Sequence, residues 1–223
     1  MNMKLFDSLH AFIWRSNTAN NCNTYLIDGP APVLIDPGHA EHFDHVRKGL
    51  NELNRSPSDM GMVILTHAHP DHIEAVPFFK AKSTLVAIHE AEWLLVKSME
   101  PYLKSVLGLD LDAFSPDIFL KEGNFSIHNM MFEVFHTPGH SPGSISLYWP
   151  EKKVLFTGDL VFKDGLGRTD LPGGSGSQLK ESIKRLSGLD TEFLLSGHGD
   201  VILGKDRVKD NFERVERNWF RYI

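Results

Sequence analysis

Three histidines and one aspartate lie within six consecutive residues, in the sequence THAHPDH. Alternate residues of an extended chain point to the same side, so His67 and His69 are predicted to bind one metal ion together. Pro70 then turns the chain, and Asp71 and His72 follow at the start of a helix and point into the same space from another direction. Four ligand-type residues in so short a span indicate two ions rather than one. This spacing is far more specific than a single His-x-His, for which surface histidines and an N-capping aspartate are the simpler interpretation.

Five apolar runs of the sequence end in a residue that can bind a metal ion. Their sequences are VLID, VILTH, EVFHTPGH, VLFTGD and FLLSGH, and they end at Asp36, His67, His140, Asp159 and His198. Open α/β sheets bind ligands in the crevice beyond the ends of their strands. One polar residue after a strand is ordinary turn chemistry. Five such ends indicate side chains that meet along one sheet edge.

The elements that position these residues are short strands separated by helices. Strands are predicted over Thr24–Asp28, Val33–Asp36, Met62–Thr66, Thr84–His89, Phe132–His136, Ser144–Trp149, Val154–Thr157 and Phe193–Ser196. Helices are predicted over His42–Asn54, Asp71–Lys80, Glu90–Val106, Gln178–Leu186 and Arg207–Trp219. Most strand runs are continuously apolar rather than alternating, which indicates that both faces of the sheets are covered. The sequence therefore predicts an α/β layered protein.

Composition excludes several classes of function. The chain has 223 residues, a formal net charge of −6 and 41% hydrophobic residues, which is typical of a soluble globular protein. DNA-binding modules carry a positive surplus, so no nucleic-acid partner is expected. No apolar run approaches the roughly 20 residues that span a bilayer, so no membrane association is expected. The N-terminus lacks a signal-peptide pattern and Cys22 is the only cysteine, so the cytoplasm is the expected location.

At these motifs the sequence resembles the metallo-β-lactamase-fold hydrolases. The family signature matches THAHPDH without a gap, and the resemblance continues in order through LIDPG, HTPGHSPGS, TGDLVF, GRTDLPGG and SGHG. The sequence is most similar to the glyoxalase II-like (hydroxyacylglutathione hydrolase-like) subgroup. The resemblance implies a four-layer αββα sandwich in a single domain, residues 1–223, with the metal site at the edge between the two sheets.

The resemblance assigns seven metal ligands. A first ion would be bound by His67, His69 and His140, a second by Asp71, His72 and His198, and Asp159 would bridge the two. The ions are expected to be divalent, zinc in the first place, with iron or manganese as the other candidates. A hydroxide bridging the ions would be the nucleophile, and the catalytic residue Asp71 would orient it and carry a proton to the leaving group. Asp36 is predicted to hold a ligand histidine by a hydrogen bond instead of binding metal.

The resemblance implies a metal-dependent hydrolase that cleaves a thioester, or a related ester or lactone, in a small-molecule substrate. Glyoxalase II enzymes carry an additional C-terminal helical region that binds the glutathione moiety, whereas 25 residues follow His198 in this sequence. Hydroxyacylglutathione is therefore expected to be a poor substrate. Asp159 stands where β-lactamases of this fold commonly have cysteine, so antibiotic hydrolysis is not expected.

Two other functions stay open on sequence grounds. Persulfide dioxygenases of the same fold use one iron held by two histidines and one carboxylate, and His67, His140 and Asp159 would form such a triad. The GRTDLPGG segment is more typical of the hydrolases. The other open function is that of a non-catalytic metal-binding protein, and the complete set of ligand residues argues against it.

Several further residues have two interpretations. Arg168 either pairs with Asp170 and stiffens its loop or binds a substrate carboxylate. Lys163 either is solvated or contacts an anionic substrate. Cys22 has no basic neighbour in the sequence and is interpreted as a packing residue. The apolar segment 92–119 is core, a wall beside the substrate, or a contact between two copies in a homodimer.

The remaining histidines are not assigned to the site. His136 is predicted to have a structural role near the end of its strand. The other six match no motif and are interpreted as solvated or core-edge residues: His10, His39, His42, His45, His89 and His128.

Overall fold

The structure is a computed structural model that describes residues 2–16, 18–80, 84–107 and 111–223. The chain divides into two compact units, Met1–Phe119 and Leu120–Ile223. Each unit contains a β-sheet and helices, so the predicted α/β class is confirmed. The single domain over residues 1–223 stays a prediction. Within the apolar segment 92–119, residues 108–110 lie outside the described residues.

The first unit is built on a seven-stranded sheet whose strands follow one another in chain order. They are β1 (Asn2–Phe6), β2 (Leu9–Phe12), β3 (Thr24–Ile27), β4 (Val33–Ile35), β5 (Met62–Ile64), β6 (Leu85–His89) and β7 (Ile118–Leu120). Strands β1 to β4 pair antiparallel, whereas β4, β5 and β6 run parallel. The helices are α1 (Asp44–Glu52), α2 (Pro70–Ile73), α3 (Pro77–Lys80), α4 (Glu90–Ser98) and α5 (Glu100–Leu107).

Three neighbouring strands of the first unit lie in its core and support the residues that follow them. Strands β3, β4 and β5 are buried along their whole length, as their continuous apolar runs predict. The core beside them includes Phe12, Leu34, Phe43, Leu50 and Val63. Burying one such side chain contributes about 1.5–3 kcal/mol, so the ends of these strands are firmly anchored.

The second unit is built on a six-stranded sheet. In spatial order its strands are β15 (Ile202–Leu203), β14 (Phe193–Ser196), β11 (Val154–Gly158), β10 (Ile145–Trp149), β9 (Met130–His136) and β8 (Gly123–Ile127). Strands β11 and β14 are parallel neighbours, and the other pairs are antiparallel. A small hairpin, β12 (Val161–Phe162) and β13 (Gly165–Leu166), follows β11. Helices α6 (Gly176–Ser187) and α7 (Lys205–Trp219) bury Leu179, Ile183, Phe212 and Val215 in the core of this unit.

All eight predicted strands are present, with ends that differ by at most two residues. Seven described strands are not predicted from the sequence: β1, β2, β7, β8, β12, β13 and β15. Most of these are very short or mix polar with apolar residues. Their conformation depends on pairing with a neighbouring strand, which a local pattern does not reveal.

Two predicted helices are each divided in two, so the expectation of continuous helices is wrong there. The helix expected over Asp71–Lys80 is α2 and α3, because Pro77 has no N–H to continue a helical ladder. The helix expected over Glu90–Val106 is α4 and α5, with Pro101 in the first turn of α5, where proline is tolerated. None of the helices in the described part of the chain is both long and apolar enough to cross a membrane.

Candidate metal centre

The seven predicted ligands follow the ends of strands, as the sequence indicates. Four of them follow β5 in the first unit and form the first-unit cluster: His67, His69, Asp71 and His72. Three follow β9, β11 and β14 in the second unit and form the second-unit cluster: His140, Asp159 and His198.

His67 and His69 lie side by side at the end of β5. Their ring centroids are 4.8 Å apart and the rings are nearly perpendicular, at 89°. One ligand nitrogen of each lies within 4.8 Å of the other. This arrangement follows from the extended backbone between them, because alternate side chains of such a segment share one side.

Asp71 and His72 lie in the first turn of helix α2. Pro70 occupies the first helical position, where its missing N–H is not needed. An Asp71 carboxylate oxygen is 4.0 Å from His72 Nε2, and the ring of His72 is centred 4.0 Å from that of His67. The first-unit cluster therefore collects three imidazoles and one carboxylate, a donor set suited to zinc or iron.

Asp36 organises the first-unit cluster from the end of β4. Its carboxylate is 2% exposed and accepts hydrogen bonds from the Thr66 amide at 2.8 Å and the Thr66 hydroxyl at 2.6 Å. His72 Nδ1 lies 2.9 Å from the same carboxylate. The backbone of Asp36 has a φ of +54°, a left-handed conformation that aspartate tolerates better than most residues.

These hydrogen bonds decide which ring nitrogen of each histidine carries the proton. A carboxylate only accepts, so His72 donates to Asp36 from Nδ1. The Thr66 hydroxyl gives its proton to Asp36 and therefore accepts one from His67 Nδ1, 3.1 Å away. In both rings Nε2 then carries the lone pair, which is the form that binds metal.

We expect Asp36→Asn to destabilise the metal-free protein by about 2–4 kcal/mol. One carboxylate oxygen accepts from the Thr66 amide and the other from the Thr66 hydroxyl and His72, whereas asparagine has one acceptor oxygen and an NH2 group, so at least one buried donor loses its partner. Asparagine tolerates the positive φ at this position, so the effect reports the carboxylate rather than the backbone. Urea unfolding in the presence of a chelator measures it.

Asp28→Asn is the control for this prediction. Asp28 lies immediately after β3, is partly exposed and pairs with Arg55 at 2.8 Å. Exposed ion pairs contribute about 0–1 kcal/mol, so this substitution is expected to change little. Equal destabilisation by the two substitutions would contradict an organising role for Asp36.

In the second-unit cluster, Asp159 lies between the two histidines. One oxygen of its carboxylate is 3.6 Å from His140 Nε2 and 3.3 Å from His198 Nε2. His140 and Asp159 are buried or nearly so, and His198 is partly exposed. A carboxylate that faces two imidazole nitrogens has the donor set of a bridging ligand.

The loop after β13 holds the second-unit cluster in place. The Arg168 carbonyl lies 2.8 Å from His140 Nδ1, and since a carbonyl only accepts, Nδ1 carries the proton and Nε2 the lone pair. A Cβ on Gly167 would overlap the carbonyl oxygen of Asp159 and lie 3.2 Å from His140 Nδ1. Only glycine fits between these two residues without moving the backbone.

The Arg168 side chain pairs with Asp170. Two parallel hydrogen bonds of 2.7 Å join the guanidinium to the carboxylate, and they lower the pKa of Asp170 to about 2. This contact agrees with the first of the two interpretations of Arg168, the pairing with Asp170, and binding of a substrate carboxylate stays a prediction. Lys163 likewise pairs with Asp200 at 3.0 Å on an exposed surface.

Two residues that contact the first-unit cluster are not predicted from the sequence. The Asn20 side-chain amide donates to an Asp71 carboxylate oxygen at 2.8 Å. Glu92 accepts a hydrogen bond of 2.9 Å from the amide of Ala68, the residue between His67 and His69. Neither has a local signal: Asn20 lies in a polar loop, and a glutamate in the first turn of a helix is ordinarily solvated.

Local contacts agree with the interpretations of Cys22 and His136. Cys22 is buried, and its thiol points at the Asp36 carbonyl at 3.6 Å, as expected for packing. His136 has a structural contact, with Nε2 2.9 Å from the Pro142 carbonyl. His39 binds Glu74 at 2.7 Å, and this hydrogen bond raises the pKa of His39.

Comparison with protein families places these motifs in a known context. The family model described as Metallo-beta-lactamase superfamily matches residues 17–198, a range that contains all seven predicted ligands. Hydroxyacylglutathione hydrolase GloC of Haemophilus influenzae is 33% identical over 201 residues, which cover 86% of this chain and 92% of GloC.

Solved structures are similar along most of the chain. TTHA1623, solved in a di-iron-bound form, gives a TM-score of 0.68 at 32% identity and covers 88% of this chain and 92% of its own. ETHE1 of Myxococcus xanthus gives a TM-score of 0.67 at 26% identity and covers 99% of this chain and 87% of its own.

Proposed function

The chain belongs to the metallo-β-lactamase superfamily and has its fold, and we propose that it is a hydrolase that uses two divalent metal ions to cleave a thioester in a small molecule. Members of this superfamily are generally hydrolases that bind divalent metals. The family and its glyoxalase II-like subgroup, predicted from the motifs, are both confirmed by the comparisons. The bound ions, their ligands and the bond that is cleaved belong to the proposal.

The observation that carries the proposal is the hydrogen-bond pattern of Nδ1 in three buried histidines. His67, His72 and His140 each engage Nδ1 with an oxygen of the protein, so that each presents the lone pair of Nε2. Histidines that ligate metals are oriented in this way by a carboxylate or carbonyl on the other nitrogen. The first-unit cluster contributes two such rings and the Asp71 carboxylate, the second-unit cluster contributes one such ring and the Asp159 carboxylate, and both donor sets suit divalent ions.

Asn20 and Asp71 would position and transfer the proton during the reaction. When bound, two divalent ions supply a water nucleophile at neutral pH and polarise the carbonyl oxygen under attack. Asn20 holds one oxygen of the Asp71 carboxylate and thereby fixes its orientation. Asp71 would then accept a proton from the attacking water and deliver it to the leaving group. A thiolate leaving group needs little such help, which favours thioesters.

The relatives revise the order in which substrates should be tried. GloC, of which 92% is matched, carries the name hydroxyacylglutathione hydrolase. A match along nearly all of that relative weakens the expectation that hydroxyacylglutathione is a poor substrate. Hydroxyacylglutathione therefore becomes the first compound to assay, followed by other short acyl thioesters and by lactones.

Protein purified without chelator is expected to contain close to two metal ions per chain and to release thiol from a thioester. Elemental analysis gives the stoichiometry and identity of the metal, with zinc expected first. Iron is the main competitor, because TTHA1623 was solved in a di-iron-bound form. Thiol release should stop when a chelator removes the metal and resume when the metal is restored. Protein without bound metal after gentle purification would contradict the proposal.

A persulfide dioxygenase is the second candidate, and the similarity to ETHE1 of Myxococcus xanthus favours keeping it. In this alternative His67, His140 and Asp159 would hold a single iron. Oxygen uptake with glutathione persulfide separates the two candidates. One iron per chain with oxygen uptake, and no turnover of any thioester or lactone, would transfer the assignment to the dioxygenase.

A further inference from the structure

Glu92 is an ionisable side chain in an environment that normally excludes one. It is 1% exposed, although Glu90, two residues earlier on the same helix, is exposed. A buried carboxylate is costly unless hydrogen bonds and a compensating positive charge stabilise it. The surroundings of Glu92 therefore need to supply hydrogen bonds and a compensating positive charge.

Part of the stabilisation comes from helix α4. Glu92 is its third residue, in the first turn, where the backbone amides and the helix dipole favour a negative charge. Helix α4 begins immediately after β6, and β6 is the parallel neighbour of β5. The first turn of α4 and the segment that follows β5 consequently lie at the same end of adjacent strands.

One hydrogen bond of Glu92 goes to the backbone between two predicted ligands. The Ala68 amide donates to Glu92 Oε2 at 2.9 Å. Ala68 separates His67 from His69, whose rings stand 4.8 Å apart and nearly perpendicular. Fixing the Ala68 amide fixes the backbone from which both rings project.

Charge gives a second reason for a carboxylate at this position. His67 donates from Nδ1 to Thr66 and is neutral when Nε2 carries a lone pair, so it brings no negative charge to a bound cation. A neutral acceptor such as glutamine would satisfy the Ala68 amide equally well. What only glutamate adds is a negative charge, held in a buried setting where charges are weakly screened.

We propose that Glu92 is a positioning residue for the metal site: it fixes the His67 and His69 pair through the Ala68 amide, and its charge stabilises the cation that they bind. This inference rests on the proposed function, because it requires that the first-unit cluster binds metal. Glu92 lies on a helix and outside all the sequence motifs, and the proposal gives it an effect on metal affinity.

Three variants of the full chain separate the hydrogen bond from the charge. Glu92→Gln keeps an acceptor oxygen and the size of the side chain but removes the charge. Glu92→Ala removes both. Glu90→Gln removes the same charge from the exposed position in the same helical turn and is the matched control. Zinc affinity is measured by competition with a chromophoric chelator, and thermal unfolding of each metal-free protein is recorded in parallel.

We expect zinc affinity to fall about 10-fold in Glu92→Gln and about 100-fold in Glu92→Ala, within the range known for groups that orient metal ligands. Glu90→Gln should bind zinc as the parent does. The metal-free Glu92→Gln protein should unfold at the same or a higher temperature, because a buried charge has been removed. A residue with a merely structural role would show the opposite pattern, lower metal-free stability with unchanged affinity.

The outcomes distinguish this inference from the proposed function. Parent protein that binds none of zinc, iron and manganese overturns both. Parent protein that binds zinc, with unchanged affinity in Glu92→Gln, overturns the role of the charge and with it the inference alone. If Glu92→Ala does not fold, Glu92→Gln still decides the matter, because it preserves the shape and the acceptor.

Discussion

Asp159→Ala is expected to lose more bound metal than Asp71→Ala and to abolish thioester hydrolysis. Asp159 faces both histidines of the second-unit cluster, at 3.6 Å and 3.3 Å, whereas Asp71 faces His72 at 4.0 Å. If Asp159 bridges two ions, its removal takes a ligand from both and leaves two cations without their shared anion. Metal affinity should fall by more than about 100-fold, the upper end of the range for groups that only orient ligands.

Metal content after dialysis against a weak chelator measures this effect. Asp210→Asn is the charge-matched control, since Asp210 is an exposed residue of helix α7 in the second unit that pairs with Arg214 at 2.8 Å. Its metal content should equal that of the parent. Equal metal loss in Asp159→Ala and Asp71→Ala would mean that Asp159 serves one ion only.

Gly167→Ala is expected to destabilise the protein by about 2–4 kcal/mol and to weaken metal binding at the same time. The added methyl group would overlap the Asp159 carbonyl, a backbone atom that cannot rotate away, and would press on His140 Nδ1. The Gly167 amide also donates to the Leu160 carbonyl at 3.2 Å, so the loop cannot shift without losing that bond. Displacement of the loop would carry the Arg168 carbonyl away from His140.

Gly165→Ala is the matched control, two residues earlier in the chain, in strand β13. A Cβ on Gly165 would meet only Phe162, at 3.9 Å, which is ordinary van der Waals contact. Replacing glycine by alanine at a compatible position changes stability by less than about 1 kcal/mol. Chemical unfolding and chelator competition on both variants check the prediction, and equal behaviour of the two would contradict the close packing of Gly167.

Most of the residues proposed to bind metal can be identified from the sequence. The HxHxDH spacing and the apolar runs that end at His140, Asp159 and His198 identify ligand-type residues at strand ends. Such patterns are local: a buried strand needs a continuous apolar run, and its end needs a turn. For the same reason all eight predicted strands are present, and the α/β class and the family are confirmed.

Sequence reasoning fails where conformation depends on a partner or on a single backbone atom. The short strands β12, β13 and β15 exist through pairing rather than through their own propensity. The helices broken at Pro77 and before Pro101 have a periodic apolar pattern that continues through a residue unable to donate a hydrogen bond.

The identity of the candidate ligands follows from the amino-acid sequence. The orientation of their rings, and the ring nitrogen that is free to bind metal, depend on contacts between residues far apart in the sequence. Asp36 lies 36 positions from His72, Glu92 lies 24 positions from Ala68, and the Arg168 carbonyl lies 28 positions from His140. Residue types and short spacings reveal which side chains can bind a cation. The ring nitrogen that carries the proton, and the backbone that holds the ring, are decided by hydrogen bonds that form only when the sheets bring those segments together, because such a bond requires a donor and an acceptor within about 3 Å.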